Sequence, residues 1–348
     1  MLCFYFTCQF LSLRGKSERV KNQEIFRLLK QFENLRVLIL GDVMVDSYVW
    51  GKVSRVSPEA PVPVVMHTRT ENRLGGAANV ALNIKSLGAI PVMCSVIGND
   101  ENSRTFKNLI RDAGMPDEGL IVSADRITTN KTRIIAGNQQ LLRVDHEVEH
   151  YIDGELEIQL WQKIESLINQ NDIAAIIFQD YDKGVITPSL IEKTIALGNK
   201  KNIPTLVDPK KRNFKFYQHA TLFKPNYKEL TEGMNLDLRK SDFDKVHQAA
   251  QILQKESGFN IVLITLSEQG MLISKDGAYH VVPTHAREIS DVSGAGDTVI
   301  AMASLCLATG TETHQMARLS NLAAGLVCEK LGVVPVQKDW LISADFTW

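Results

Sequence analysis

Leu35-Arg36-Val37-Leu38-Ile39-Leu40 is a nearly unbroken β-prone run that stops at Gly41, the pattern of a strand covered on both faces. Similar runs recur at Ala174–Phe178, Pro204–Val207, Thr221–Phe223 and Ile261–Leu266. Helical patterns lie among them at Asn79–Leu87, Arg104–Ala113, Leu156–Ile168 and Ser189–Leu197, with Gly88, Gly114 and Gly198 closing three of these. Pro188 occupies a first-turn position, and Ser241 with Asp244 reads as a capping box for a helix running toward Lys255. Strands alternating with helices predict an α/β fold, a mostly parallel central sheet with both faces covered. A hairpin is expected over Met271–Val282, turning at Asp276-Gly277.

Two regions break this rhythm. Tyr48–Arg69 and Ile127–Val144 alternate polar and apolar residues, the period of half-exposed antiparallel strands. They predict a small sheet projecting as a lid near 48–70 and 127–145, able to keep water from a site beneath it. An ordinary edge meander is the plainer alternative.

The chain of 348 residues carries 39 basic and 40 acidic side chains, a balance that argues against a broadly basic nucleic-acid-binding face. Cys3, Cys8, Cys94, Cys306 and Cys328 show no C-x-x-C spacing, and the last three sit in apolar runs, as expected of buried thiols in the cytoplasm. The apolar start lacks the early basic charge of a secretory signal and is too short to span a bilayer, so residues 1–33 are expected to form an extension outside the domain, with no membrane partner. The domain is expected over 34–335, with a tail at 336–348. His146 and His150 flank Glu147 and Glu149, a pattern better suited to a charged connector than to zinc.

The sharpest chemical signal is Asp291-Val292-Ser293-Gly294-Ala295-Gly296-Asp297, ahead of an apolar helical pattern. Little side-chain bulk at a helix start exposes backbone N–H groups, so Gly294, Ala295 and Gly296 form a candidate anion hole. An aspartate there would repel a phosphate, but it has a use as a base toward a hydroxyl that attacks one. A simple helix cap is the alternative for Asp297. No G-x-x-x-x-G-K-[ST] loop and no G-x-G-x-x-G after a strand are present, which removes P-loop kinases and counts against dinucleotide oxidoreductases.

Other candidates cluster at strand ends. Asp46 follows the first strand, where open α/β sheets bind ligands, and could accept two hydroxyls. Gly75 and Gly76 let a ligand approach the backbone, and Asn79 can bridge hydroxyls. Between Arg133 and Asp145 lie two arginines and three amides, Asn138, Gln139 and Gln140, suited to a polyhydroxylated anion. Arg133 and Arg143 are candidate phosphate holders, with solvated edge residues as the alternative. The segments Asn226–Glu229 and Thr265–Gly270 leave strand ends on the same side of the sheet as Gly294 and could surround one nucleotide.

In this order, Asp46, Gly75-Gly76 with Asn79, Asn226–Glu229 and Asp291–Asp297 resemble the ribokinase-like (PfkB) family of carbohydrate kinases over residues 34–335. Gly41–Val65 and Arg133–Glu147 are similar to its heptose-7-phosphate kinase domains, which occur in bifunctional proteins that also carry an adenylyltransferase for making ADP-heptose. The resemblance implies a three-layer sandwich with a β-sheet lid that can contribute to a homodimer. It also implies ATP-dependent phosphorylation of D-glycero-β-D-manno-heptose 7-phosphate at O1, supplying the inner core of lipopolysaccharide. By position, Asp297 becomes the catalytic base and Gly294–Gly296 the anion hole. Asn226 and Glu229 fall near the ATP phosphates and Mg²⁺, Glu229 through water and no residue as an assigned direct ligand. Thr265, Gly270 and Asn321 fall near the nucleotide, and Asp46, Gly75, Gly76 and Asn79 at the sugar. Asp182 stands where relatives often carry a glycine, while Lys183 remains placed to reach the sugar phosphate. No adenylyltransferase module is read after Trp348, so a separate protein is expected for that step. Another ribokinase-like sugar or nucleoside kinase, or a silent sugar-phosphate sensor, are the alternatives.

Overall fold

The computed structural model describes residues 23–137, 139–284 and 289–344. Cys3, Cys8 and Asn138 lie outside the described residues, as do 1–22, 285–288 and 345–348. Helix α1 (residues 23–31) leads into strands β1 (Arg36–Gly41), β2 (Val43–Val56) and β3 (Pro63–Gly76), then helix α2 (Ala77–Ser86). Strand β4 (Ile90–Gly98), helix α3 (Glu101–Asp112) and strands β5 (Leu120–Ser123), β6 (Asn130–Ala136) and β7 (Gln139–His146) follow. Next come α4 (Gly154–Gln170), β8 (Ile173–Gln179), α5 (Pro188–Lys200), β9 (Thr205–Asp208), β10 (Leu222–Phe223), α6 (Tyr227–Met234) and α7 (Phe243–Ser257). The chain closes with β11 (Ile261–Thr265), β12 (Met271–Lys275), β13 (Ala278–Val282), α8 (Ala295–Ala308), α9 (Thr313–Cys328) and α10 (Lys338–Ser343).

Among the described residues the strands form a nine-stranded sheet ordered β13-β12-β11-β10-β9-β8-β1-β4-β5 and a four-stranded sheet ordered β3-β2-β6-β7. The large sheet is parallel from β11 to β5, and β12 and β13 add an antiparallel edge. Successive strand side chains point to opposite faces, and β1 shows the consequence. Val37 and Ile39 join a core with α1, α2, α3, α8, α9 and α10, whereas Leu38 and Leu40 join a second core with α4, α5, α6 and α7. Three layers result, and the continuous apolar run of β1 is explained by burial on both sides. Each such side chain contributes about 1.5–3 kcal/mol relative to exposure.

Several local expectations change. Strands β4 and β5 were outside the runs singled out above; β4 carries Pro91, which pairs with Val37 as the second residue of the strand, near an end where a missing N–H is tolerated. Helix α7 is capped by Asp242, which accepts from the Lys245 N–H, rather than by Ser241. The described part of the expected extension is packed: Ile25, Leu29 and Phe32 are buried in the first core. Val336 and Leu341, in the expected tail, are buried there too.

The small sheet is the lid, rooted more deeply than its alternation suggested. The first six residues of β2 are buried and the last five exposed. Its two hairpins are antiparallel, but they join through a parallel β2–β6 ladder, from Val45 opposite Asn130 to Gly51 opposite Ala136. The antiparallel pattern expected for the whole sheet therefore holds only within each hairpin. The parallel seam arises because β6 arrives by a long crossover through β4, α3 and β5.

Candidate active site

Parallel strands bring their C-terminal ends to one edge of a sheet, and four polar residues meet there. Gln179 ends β8, Asp208 ends β9, Lys224 follows β10, and Asp42 follows β1. Lys224 and Asp208 form a buried ion pair at 3.0 Å. Asp42 is spent on structure, because its carboxylate accepts the N–H groups of Tyr181, Lys183 and Val185 and so fixes the loop after β8. Burial and the neighbouring Asp180 push the Asp42 carboxyl up to about 6.

Over this edge sits the start of α8. Gly294 caps it at φ 82° with no side-chain hydrogen bond to the first turn, leaving the positive end of the helix dipole uncovered. A Cβ on Gly294 would lie 2.9 Å from Asn79 Nδ2, so both backbone conformation and space require glycine. The Ala295 N–H, one of the expected anion-hole donors, is engaged by the Val292 carbonyl at 3.3 Å. Gly296 faces the ion pair, since a Cβ there would be 3.5 Å from Lys224 Nζ and 3.8 Å from Asp208 Oδ2.

Asp297 is buried. Its Oδ2 accepts from Asn79 Nδ2 at 2.7 Å, and its Oδ1 accepts from Tyr181 Oη at 2.8 Å and Gln179 Nε2 at 3.1 Å. Burial pushes its carboxyl up to about 6, with Asp208 adding to the rise and the Asn79 and Tyr181 hydrogen bonds opposing it. A carboxylate that is ionised near neutrality and basic by carboxylate standards is suited to general-base work.

Two cavities meet at this loop. One of about 160 Å³ is lined by Met44, Asp46, Gly75, Gly76, Asn79, Lys131, Arg133 and Tyr181, together with Gly294 and Asp297. The other, about 340 Å³, is lined by Thr265, Gly270, Ala295, Gly296 and Asn321 with apolar Ile289, Val292 and Val299. The smaller space has the charged side chains Asp46, Lys131, Arg133 and Asp297 in its wall, the first three from the lid sheet; the larger is a mainly apolar slot beside the helix start.

The pfkB family carbohydrate kinase model matches residues 34–339. The chain belongs to the pfkB family of carbohydrate kinases. The kinase is 39% identical over 323 residues to the bifunctional protein HldE of Pelobacter propionicus, covering 92% of this chain and 65% of that protein. It is 42% identical over 317 residues to HldE of Caulobacter sp. strain K31, covering 91% and 64%. The chain thus spans a little under two thirds of the length of these curated relatives. Among solved structures, phosphofructokinase-2 from Escherichia coli in complex with potassium superposes with a TM-score of 0.73 at 20% identity, covering 89% of this chain and 97% of that one. Arabidopsis thaliana ribokinase complexed with ribose and ATP gives 0.68 at 16% identity, covering 90% and 100%. These two likenesses carry the ribokinase-like three-layer fold.

Within the kinase, Asp46, Gly75, Gly76, Asn79 and Arg133 all line the smaller cavity. Asp46 Oδ1 accepts from Arg133 Nη1 at 2.5 Å. Gln139, Arg143 and Lys183 do not line that cavity. Gln139 is exposed beside the β6–β7 turn, and Arg143, directly across the ladder from Arg133, is half exposed and held by Asp145 at 2.9 and 3.0 Å. Lys183 is paired with Glu147 at 2.8 Å and Glu149 at 2.9 Å. Those two glutamates act in the charged connector that the sequence suggested.

Thr265, Gly270 and Asn321 line the larger cavity, but Asn226 and Glu229 do not. They form a capping box at α6, and Glu229 also pairs with Lys210. Asp182 adopts φ 57°, the left-handed conformation that the expected glycine would supply. Sequence reasoning missed Lys131, Gln179, Tyr181, Asp208 and Lys224. Lys131 has no local mark, because only the β2–β6 register sets it beside Asp46. Gln179, Asp208 and Lys224 were findable, as polar residues at the C-terminal ends of buried strands.

Proposed function

We propose that this kinase transfers the γ-phosphoryl group of ATP to O1 of D-glycero-β-D-manno-heptose 7-phosphate. The product would be the 1,7-bisphosphate, on the route to ADP-heptose and the lipopolysaccharide core, with an adenylyltransferase acting downstream. The observation that carries this proposal is that Asp297 and the lid cations Lys131 and Arg133 line one cavity. An acceptor that needs a base at one hydroxyl and also carries an anion would use both. The similarity of Gly41–Val65 and Arg133–Glu147 to heptose-7-phosphate kinase domains supplies the identity of the sugar.

The larger cavity suits ATP: apolar walls for a base, with Gly270, Asn321 and the α8 start around it. A Cβ on Gly270 would lie 2.0 Å from the Val282 carbonyl, so a backbone at φ 86° fits where no side chain would. Mg²⁺ would ride on the ATP phosphates and neutralise their charge. The Glu229 carboxylate is engaged by the Asn226 N–H and Lys210, which favours contact through water over direct ligation. In the acceptor cavity, Asp46 and Asn79 would hold sugar hydroxyls, Asp297 would take the O1 proton, and the Gly296 and Asp297 N–H groups would meet the charge on the moving phosphoryl group.

Incubation with heptose 7-phosphate, ATP and Mg²⁺, followed by phosphorus NMR, tests the assignment; absence of a new phosphate at O1 removes it in favour of another acceptor. For the sugar phosphate, Lys131→Met should raise KM by about tenfold or more, as loss of a charge-assisted contact does. Arg143→Ala should change it by less than about twofold, and the opposite ranking would put the phosphate on the outer lid.

We also propose a cytoplasmic homodimer through the lid. Val53, Val56, Met66, Leu142 and Val144 leave apolar surface on it. Among the described residues no helix is long and apolar enough to cross a membrane. Sedimentation should show a dimer that Val56→Lys with Leu142→Lys converts to monomer; a wild-type monomer at micromolar concentration rules it out.

A further inference from the structure

We propose that Tyr181 and Gln179 are positioning residues for Asp297, filling one carboxylate oxygen so that the other takes the proton. This rests on the assignment of Asp297 as base. A carboxylate oxygen has two in-plane acceptor sites. Oδ1 accepts from both Tyr181 and Gln179, at 2.8 and 3.1 Å, and is full. Oδ2 accepts from Asn79 at 2.7 Å and retains a second site.

Asn79, Tyr181 and Asp297 all line the acceptor cavity. The acceptor hydroxyl therefore gives its proton to Oδ2 as its oxygen bonds to the γ-phosphorus of ATP. The bond from that phosphorus to the β,γ-bridging oxygen breaks, and ADP leaves with the electron pair. The buried Asn79 Oδ1 has no protein partner and is available to the same or a neighbouring hydroxyl.

The two donors are well suited to the role. Burial, then the charges of Asp297 and Asp208, raise the Tyr181 phenol well above its ordinary range, so it stays a donor throughout the working pH range. Gln179 spans two carboxylates, since its Nε2 also donates to Asp208 Oδ2 at 3.1 Å, and Asp208 is tethered by Lys224. The Gln179 Oε1 is buried without a partner. Reversing the amide would aim that oxygen at two carboxylates, so repulsion fixes the donor orientation at the cost of an unpaired acceptor. Neither residue belongs to the glycine loop, and each reaches Asp297 only because β8 ends beneath the α8 start.

The charged groups facing Asp297 are Asp208 at the end of β9 and Lys224 after β10, and the titratable Tyr181 after β8 faces it as a neutral donor. Asp46, Lys131 and Arg133 line the same cavity from the lid side. Tyr181→Phe leaves all the others in place, so any change in the titration of Asp297 reports the phenol.

The test is a carbon-13 carboxyl NMR titration of the full chain, with the Asp297 signal assigned by its loss in Asp297→Asn. In Tyr181→Phe the midpoint should rise by about one pH unit, the effect of losing one hydrogen bond to a charged group. The acid limb of kcat with heptose 7-phosphate should move with it while KM for ATP holds. Gln179→Met should move the midpoint in the same direction and carries the test if Tyr181→Phe does not fold. An unmoved midpoint, with kcat lowered equally at every pH, would reduce the pair to cavity floor and overturn the proposal. The titration needs no acceptor, so it stands even if heptose 7-phosphate proves to be the wrong substrate. Normal turnover by Asp297→Asn would remove the base itself and the pair's catalytic meaning with it.

Discussion

Asp297→Asn should lower turnover by at least about 10²-fold and leave ATP affinity nearly unchanged. Asparagine keeps the size of the side chain but cannot take a proton from an attacking hydroxyl. The larger cavity, proposed for ATP, is lined by Thr265, Gly270, Gly296 and Asn321 among others, and the Asp297 carboxylate is not part of that lining. Single-turnover kinetics with calorimetric ATP titration separate the two effects, and near-normal turnover would refute the base assignment. In the wild type the same group sets a pH signature. Burial holds its carboxyl at about 6, so kcat should fall about tenfold per unit below that pH and level off above it.

The sign for stability is opposite. With a folded value of about 6 against an ordinary 3.8, the native state binds the extra proton between the two. Stability from this group is therefore full below 3.8 and declines as pH rises through about 6. Keeping a buried carboxylate ionised at neutral pH is a cost that the proposed role as base would explain.

Gly75→Ala should cut kcat/KM for the acceptor by about 10²-fold with little change in ATP binding. The new Cβ would fall 2.2 Å from Asp46 Oδ2 and 2.9 Å from Met44 Cγ. Asp46 has little room to yield, because it is buried and held by Arg133 at 2.5 Å. The carboxylate would have to turn away from the cavity or part from the guanidinium, and either change misplaces a proposed sugar contact. Overpacking should also cost about 1–3 kcal/mol of stability, visible as a lower Tm. An unchanged kcat/KM would show that Asp46 does not hold the sugar.

Much of the fold was legible because its signals are local. Apolar runs buried on both faces, glycine stops and the Asp276-Gly277 turn each depend on a few adjacent residues. Strand β4 was less legible because Pro91 interrupts its β pattern, and a proline is admissible only because it sits near the strand end. At the site, Gly294 and Asp297 stood out because a helix start concentrates its chemistry in consecutive residues. Arg133 and Arg143 looked equivalent in sequence and are neighbours across one ladder. Their difference comes from partners: Asp46 draws Arg133 into the cavity wall, and Asp145 holds Arg143 at the half-exposed surface.

By itself, then, the sequence determined an α/β chain with a mostly parallel sheet covered on both faces, a glycine loop and an aspartate suited to phosphoryl transfer. These follow from backbone periodicity and from groups close together along the chain. Only the tertiary structure decided which side chains share a cavity with that aspartate. It set Lys131 and not Lys183 in the wall of that cavity, although both pair with Glu147, and brought Gln179 and Tyr181 to one carboxylate oxygen. Gln179 and Tyr181 lie 118 and 116 positions from Asp297, so strand order and register decide that meeting and leave no local trace.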